Sequence, residues 1–187
     1  METLKFYEVD HEYLRYLQRW DAKVPNVSAT SHEKFTCGVV LGIGPHKYFA
    51  PISSFSKKQQ SNILILNSAG RTVASIRFSF MFPIPEGLAK VKDFSKEGIK
   101  YRELLREELS YCNGIREQIR AKAQWVYSSV VSRKDPFMTN NCFNFTLLEE
   151  KALEYTIVLE QTMLASHEVA TSTQEPRKKR QGREDDR

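Results

Sequence analysis

Outside one short helical stretch and a polar loop, the first half of the chain reads as runs with a period of two, and the second half repeats its apolar positions at close to 3.6. Residues 4–9 alternate as a first strand. Asp10 then offers an N-cap, and Tyr13, Leu14, Leu17 and Trp20 recur at helical spacing, which predicts an amphipathic first helix ending before Pro25. Residues 21–33, DAKVPNVSATSHE, are polar and aperiodic and carry Pro25 and Asn26, so they read as a loop of a length that is often functional. Lys34 marks the exit into a strand over 35–43. Gly44 and Pro45 turn the chain back into a strand over 46–52, which makes an antiparallel hairpin. Two further strands are expected over 62–67 and 72–83, joined by the turn Asn67-Ser68-Ala69-Gly70-Arg71, and a short one near 88–91.

Beyond Phe94 the pattern is helical. Tyr101, Leu104, Leu105, Leu109 and Cys112 share one face, and Ile115, Ile119, Ala123, Val126 and Val130 define a second helix or a continuation past Asn113-Gly114 that Pro136 stops. Asn144 is placed to cap a last helix with Leu148, Ala152, Tyr155, Leu159 and Met163 facing inward. Strands first and helices second predict an α+β domain, a compact, strongly bent antiparallel β-sheet covered by about four helices. That domain is expected to span residues 1–165. Residues 166–187 have no apolar period and are expected to form a disordered charged tail.

Length and composition narrow the function classes. A chain of 187 residues supports one domain with a sizeable core, and its longest apolar runs fall far short of the roughly 20 residues that cross a bilayer. The N-terminal METLKFYEVD has no signal-peptide pattern, so a cytoplasmic protein is expected, without a membrane partner. Cys37, Cys112 and Cys142 are widely spaced and have no His or Cys at ligand distance, so they read as reduced core thiols rather than a metal site. A net charge of +5 and a pI near 9.1 fit a polyanionic partner, and the six basic and five acidic tail residues nearly cancel, leaving that charge on the folded body.

The stretch GPHKYFAPISSFSKK, residues 44–58, gathers the candidate chemistry. Pro51 cannot donate to a ladder, so the strand leaves the sheet where Ser53 and Ser54 are followed by Phe55, Ser56, Lys57 and Lys58. Hydroxyls, free N–H groups and two lysines at the end of a rigid strand suit a phosphate. The same residues also suit a turn with solvated lysines. In the hairpin, the start of the first strand and the end of the second lie side by side, which brings Lys34 toward Ser53 and Ser54.

HKYFAPISS, with KFTCGVVL before it, FMFPIP after it and CFNFTLLEEK near the end, resembles the ToxN/AbiQ family, the protein halves of type III toxin-antitoxin systems. The resemblance covers roughly residues 4–160. It implies a barrel similar to the Kid/MazF toxins and a metal-independent endoribonuclease without a cofactor, in which the RNA's own 2′-OH attacks the adjacent phosphorus to leave a 2′,3′-cyclic phosphate. Lysines and hydroxyls can stabilise the phosphorane and move the protons. The family's active-site lysine falls on Lys34 and its hydroxyl pair on Ser53 and Ser54. Its second lysine is matched by Lys57, although Phe55 and Ser56 stand where the family has a single proline.

A family tyrosine in the preceding loop has no counterpart, Thr30 being nearest and His32 a substitute. Tyr111 matches an aromatic position facing the RNA, and Lys23, His32, His46 and Lys58 complete the expected RNA-binding set. The implied partners are substrate RNA and a pseudoknotted repeat RNA antitoxin, which the protein processes and which bridges it into an RNA-dependent oligomer; DNA is not expected. Growth arrest and phage defence would follow. Two other classes stay open on the residues alone: a non-catalytic RNA-binding module, and a barrel-fold toxin that blocks a protein target.

Overall fold

The computed structural model describes residues 3–24 and 37–172. The sheet and the first helices belong to one unit, Met1–Leu153, and the end of the last helix to a second, Glu154–Arg187. The strands are β1 (Phe6–Val9), β2 (Cys37–Ile43), β3 (His46–Ser53), β4 (Asn62–Leu66), β5 (Thr72–Arg77), β6 (Phe82–Pro83) and β7 (Ala89–Val91). The helices are α1 (His11–Gln18), α2 (Ile99–Gly114), α3 (Arg116–Val131), α4 (Pro136–Asn141) and α5 (Phe145–Ser172). The strands pair in the order β4-β5-β3-β2-β1-β7, with β6 also on β3, and every pairing is antiparallel.

The α+β class and the antiparallel sheet agree with the sequence pattern. Two parts of that expectation are corrected. The sheet is open, with β4 and β7 at the ends of the pairing order, rather than closed as a barrel. Five α-helices are present among the described residues rather than about four, because Pro136 opens a short helix at its N-terminal position instead of only ending the preceding one.

β3 is the strand on which the sheet turns. One edge pairs with β2 from Ile43↔His46 to Gly38↔Pro51. The other edge is shared: Tyr48 and Phe49 pair with Pro83 and Phe82 of β6, and Ile52 and Ser53 pair with Ile76 and Ser75 of β5. Six positions separate Ile76 from Phe82, but only three separate Ile52 from Phe49, so three extra residues must leave the ladder. They do so in a 3₁₀ turn, Phe78–Phe80, and the single strand expected over 72–83 is therefore two. The Phe78 N–H donates to the carbonyl of Ser61 at 3.0 Å and the Phe143 N–H to that of Ser79 at 3.0 Å, which fixes the turn at both ends.

All residues from Tyr48 to Ile52 are buried, so β3 is covered on both faces rather than showing one to solvent. On one side the Tyr48 ring meets Tyr127 and Phe145 edge-on, with centroids 5.7 and 5.8 Å away, and its hydroxyl donates to Glu149 Oε1 at 2.7 Å. The Phe49 ring lies 5.2 Å from Phe82. At α1 the Asp10 carboxylate accepts from the N–H groups of Glu12 and Tyr13, as the sequence predicts, whereas Trp20 lies past the helix end, 45% exposed, with the Lys151 ammonium 4.1 Å from its ring. Leu148 and Ala152 of α5 are buried, but Met163, expected inward, is exposed. The helix continues to Ser172, into the segment expected as tail; residues 173–187 lie outside the described set. No helix among the described residues is long and apolar enough to cross a membrane.

Gly38 sets how closely β2 and β3 approach. A Cβ there would stand 2.3 Å from the Ala50 carbonyl oxygen and 2.8 Å from the Phe49 ring, and neither can retreat because both residues are fully buried. Gly38→Ala is expected to destabilise the fold by about 2 kcal/mol or more, while Gly42→Ala on the same strand, where a Cβ meets nothing, leaves it nearly unchanged. Urea unfolding of the two variants checks this.

Candidate active site

The loop that follows β3 is held from beneath by two polar side chains that interrupt apolar strands. Ser75, fully buried in β5, donates its hydroxyl to the Phe55 carbonyl at 2.7 Å. Asn62, at the start of β4, donates from Nδ2 to the Lys57 carbonyl and accepts from the Gln59 N–H through Oδ1, both at 2.9 Å. A third clamp is aromatic: the Arg77 guanidinium lies between the rings of Phe55 and Phe80, 4.2 and 4.6 Å from their centroids. With its carbonyls drawn inward, the loop turns Ser54, Lys57 and Lys58 out to solvent. Ser53 is half-buried and its Oγ accepts weakly from the Phe55 N–H at 3.4 Å, so its own O–H is available to donate.

Beside this loop a pocket of about 250 Å³ opens between α2 and the ends of β2, β3 and β5. Ser53 and Ser54 lie on its rim, with Ile52, Val73, Ala74, Leu104 and Leu105 as apolar wall and Cys37, Tyr101 and Glu108 as its remaining lining. Glu108 is 5% exposed, and burial pushes its carboxyl up to about 7. Among the described residues it has no hydrogen-bond or ion-pair partner. Burial also pushes the Cys37 thiol and the Tyr101 phenol up to about 12. Glu108 is thus the one described lining group that changes charge near neutral pH.

The structure gathers only part of the predicted set. Ser53, Ser54, Lys57 and Lys58 come together on one loop. His46 does not join them: it opens β3 while Ser53 closes it, roughly 23 Å away at strand rise, and its Nε2 lies 3.7 Å from Glu149 Oε1. The Lys23 ammonium donates to the carbonyls of Cys142 at 2.8 Å and Thr139 at 3.2 Å, where it holds the end of α4. Tyr111 is half-buried on α2, one turn beyond Glu108 and outside the pocket lining. Lys34 and His32 lie outside the described residues.

Two groups beside the loop escaped the sequence reading. Glu108 sits at the spacing of Tyr101, Leu104, Leu105 and Cys112, so its place on the apolar face was the available signal. Arg77 closes β5 as its single charged residue and could have been noticed as a cation near the lysine loop. Among the described residues no group of three or more His, Cys, Asp or Glu side chains could hold a metal ion.

These features define a small α+β protein with an open antiparallel sheet and a hydroxyl- and lysine-bearing loop at the lip of a pocket. The family of Toxin ToxN, type III toxin-antitoxin system, matches residues 5–153, and the chain belongs to it, as its motifs implied. It is 30% identical over 165 residues to Endoribonuclease ToxN of Pectobacterium atrosepticum, an alignment that covers 81% of this chain and 94% of that one. A solved structure describing selective toxin inhibition by a non-coding RNA pseudoknot in bacterial type III toxin-antitoxin systems superposes with a TM-score of 0.75 at 26% identity, over 83% of this chain and 99% of its own. Another, of a bacterial antiviral system regulated by a processed non-coding RNA, gives 0.68 at 26% identity over 80% and 98%.

The raised Glu108 carboxyl makes stability depend on pH. The group binds its proton more tightly folded than unfolded, so its own contribution to stability is full below about 4.5 and is lost as pH rises through about 7, by about 3 kcal/mol. Glu108→Gln removes that loss. Thermal melts at pH 5 and pH 8 are expected to show the variant more stable than the parent at pH 8 and close to it at pH 5.

Proposed function

We propose that this chain is the toxin of a type III toxin-antitoxin pair, an endoribonuclease that cuts single-stranded RNA without a metal ion and leaves a 2′,3′-cyclic phosphate. The observation that carries this reading is the pinned loop at the pocket lip, which sets Ser53 and Ser54 on the pocket rim and carries the exposed Lys57 and Lys58 a few residues further along. Hydroxyls donate to non-bridging phosphate oxygens, and the lysines neutralise charge that grows in the phosphorane. Lys34 supplies a further ammonium. Its sequence position, three residues before the pocket-lining Cys37, tethers its Cα within about 11 Å of that of Cys37.

In this reading the catalytic domain is residues 1–165, acting in the cytoplasm, and the bent sheet is kin to that of the Kid/MazF toxins. The inhibitor is a folded repeat RNA that the protein processes, occupies the substrate surface and links protein copies into an oligomer. The relatives whose toxins are held by an RNA pseudoknot or regulated by a processed RNA in an antiviral system support this part. Phosphate contacts supply affinity, while bases set against half-buried aromatics such as Tyr111 supply selectivity.

Incubating the purified protein with single-stranded RNA in EDTA and sequencing the product ends is the decisive measurement. Cleavage that leaves cyclic phosphates is expected, and intact RNA would favour a binding module or a protein-blocking toxin. Ser54→Ala is expected to lower the cleavage rate by about 10²-fold with unfolding unchanged, since its side chain is exposed and holds nothing together. Lys34→Ala is expected to abolish toxicity in a growth assay.

A further inference from the structure

Glu108 is costly where it stands. A carboxyl that is 5% exposed, walled by Leu104 and Leu105 and without a described partner destabilises the ionised protein, and a leucine would fit the same helix face. Its position accounts for it in another way. It lines the pocket whose rim carries Ser53 and Ser54, and with the scissile phosphate on those hydroxyls a space of about 250 Å³ has room for the ribose on the phosphate's 3′-oxygen side. That ribose carries the attacking 2′-OH on the carbon beside the one bearing the phosphate. The group that takes its proton must lie within one sugar of the hydroxyl pair.

We propose that Glu108 is the general base of the cleavage, with its carboxylate taking the proton of the attacking 2′-OH. The inference rests on the endoribonuclease reading above. The O2′–H bond breaks and its proton passes to a Glu108 oxygen. O2′ bonds to phosphorus, the P–O5′ bond breaks with its electron pair on O5′, and that oxygen takes a proton from the ammonium of a lysine of the loop, which carries the exposed Lys57 and Lys58 after the hydroxyl pair. Exchange with water returns both groups to their starting states, so nothing else is consumed. A lysine side chain has protons to donate and suits the acid role, whereas a carboxyl that titrates near the working pH is suited to the base role.

The groups facing Glu108 leave its titration visible. Tyr101 and Cys112 on α2 and Cys37 on β2 are all pushed by burial to about 12, and β3 and β5 contribute only Ser53, Ser54, Ile52, Val73 and Ala74. Lys92 acts on Cys37 and Tyr101.

The test uses the full chain under single-turnover conditions on one single-stranded RNA substrate, from pH 5 to pH 9, with RNA binding measured separately. The parent is expected to show a rate that rises tenfold per pH unit and levels near pH 7. Glu108→Gln is expected to lose that limb and to cut about 10²- to 10⁴-fold more slowly at pH 8 while binding RNA as the parent does. Glu108→Asp, which keeps an ionisable oxygen, should recover part of the rate together with the limb. A parent without a limb near pH 7, a Gln variant with the parent's profile, or loss of binding in parallel with loss of rate would each overturn the assignment while leaving the endoribonuclease reading intact. A parent that cuts no RNA at any pH would overturn both.

Discussion

Hydrogen bonding of β3 along both edges is the constraint from which the remaining architecture follows. A strand paired on both sides and covered on both faces cannot shift register without moving its buried side chains to the wrong face, so it fixes β2 before it and the loop after it. Pro51 fits this arrangement for a local reason. The ladders to β6 and β5 leave Ala50 and Pro51 between them, opposite the residues that depart into the 3₁₀ turn, and a residue without an N–H is tolerated where a ladder is interrupted. The pairing with β5 resumes at Ile52 and Ser53, and the strand delivers its hydroxyls at a defined point.

Rigidity below and accessibility above are separated in the loop after β3. Ser75, Asn62 and Arg77 act on carbonyls and on the Phe55 ring, and none of them occupies a hydroxyl or ammonium on the outer side. The pocket is less well adapted to stability. Its buried Glu108 carboxyl costs folding energy above pH 7, and the cost is local to the place where chemistry is expected. Stability given up beside a functional pocket is a common pattern in enzymes, because groups poised to react are not satisfied by the fold itself.

The elements that were legible in the sequence are those whose signals are local. Period-two runs marked the hairpin of β2 and β3, Gly44 and Pro45 marked its turn, and Asp10 marked the start of α1. The hydroxyl and lysine loop was legible because Ser53 and Ser54 break off the apolar run before them and two lysines follow. What escaped depended on distant partners. The break of the strand over 72–83 follows from a three-residue mismatch against β3, which no window of that segment contains. The Arg77 clamp needs Phe55 and Phe80, and Lys23 is drawn to carbonyls more than a hundred residues later. Glu108 was passed over because a glutamate in a helix usually reads as solvated, and only the packed face of α2 shows it turned inward.

The burial of the three thiols bears on how such a protein can be held in check. Cys37 lines the pocket, yet burial pushes it and Cys112 to about 12 and Cys142 to about 11, so at neutral pH almost none is thiolate. Oxidants and electrophiles attack thiolate, and these residues offer them little to attack. A cell under oxidative stress would therefore not disarm the toxin by modifying its pocket cysteine.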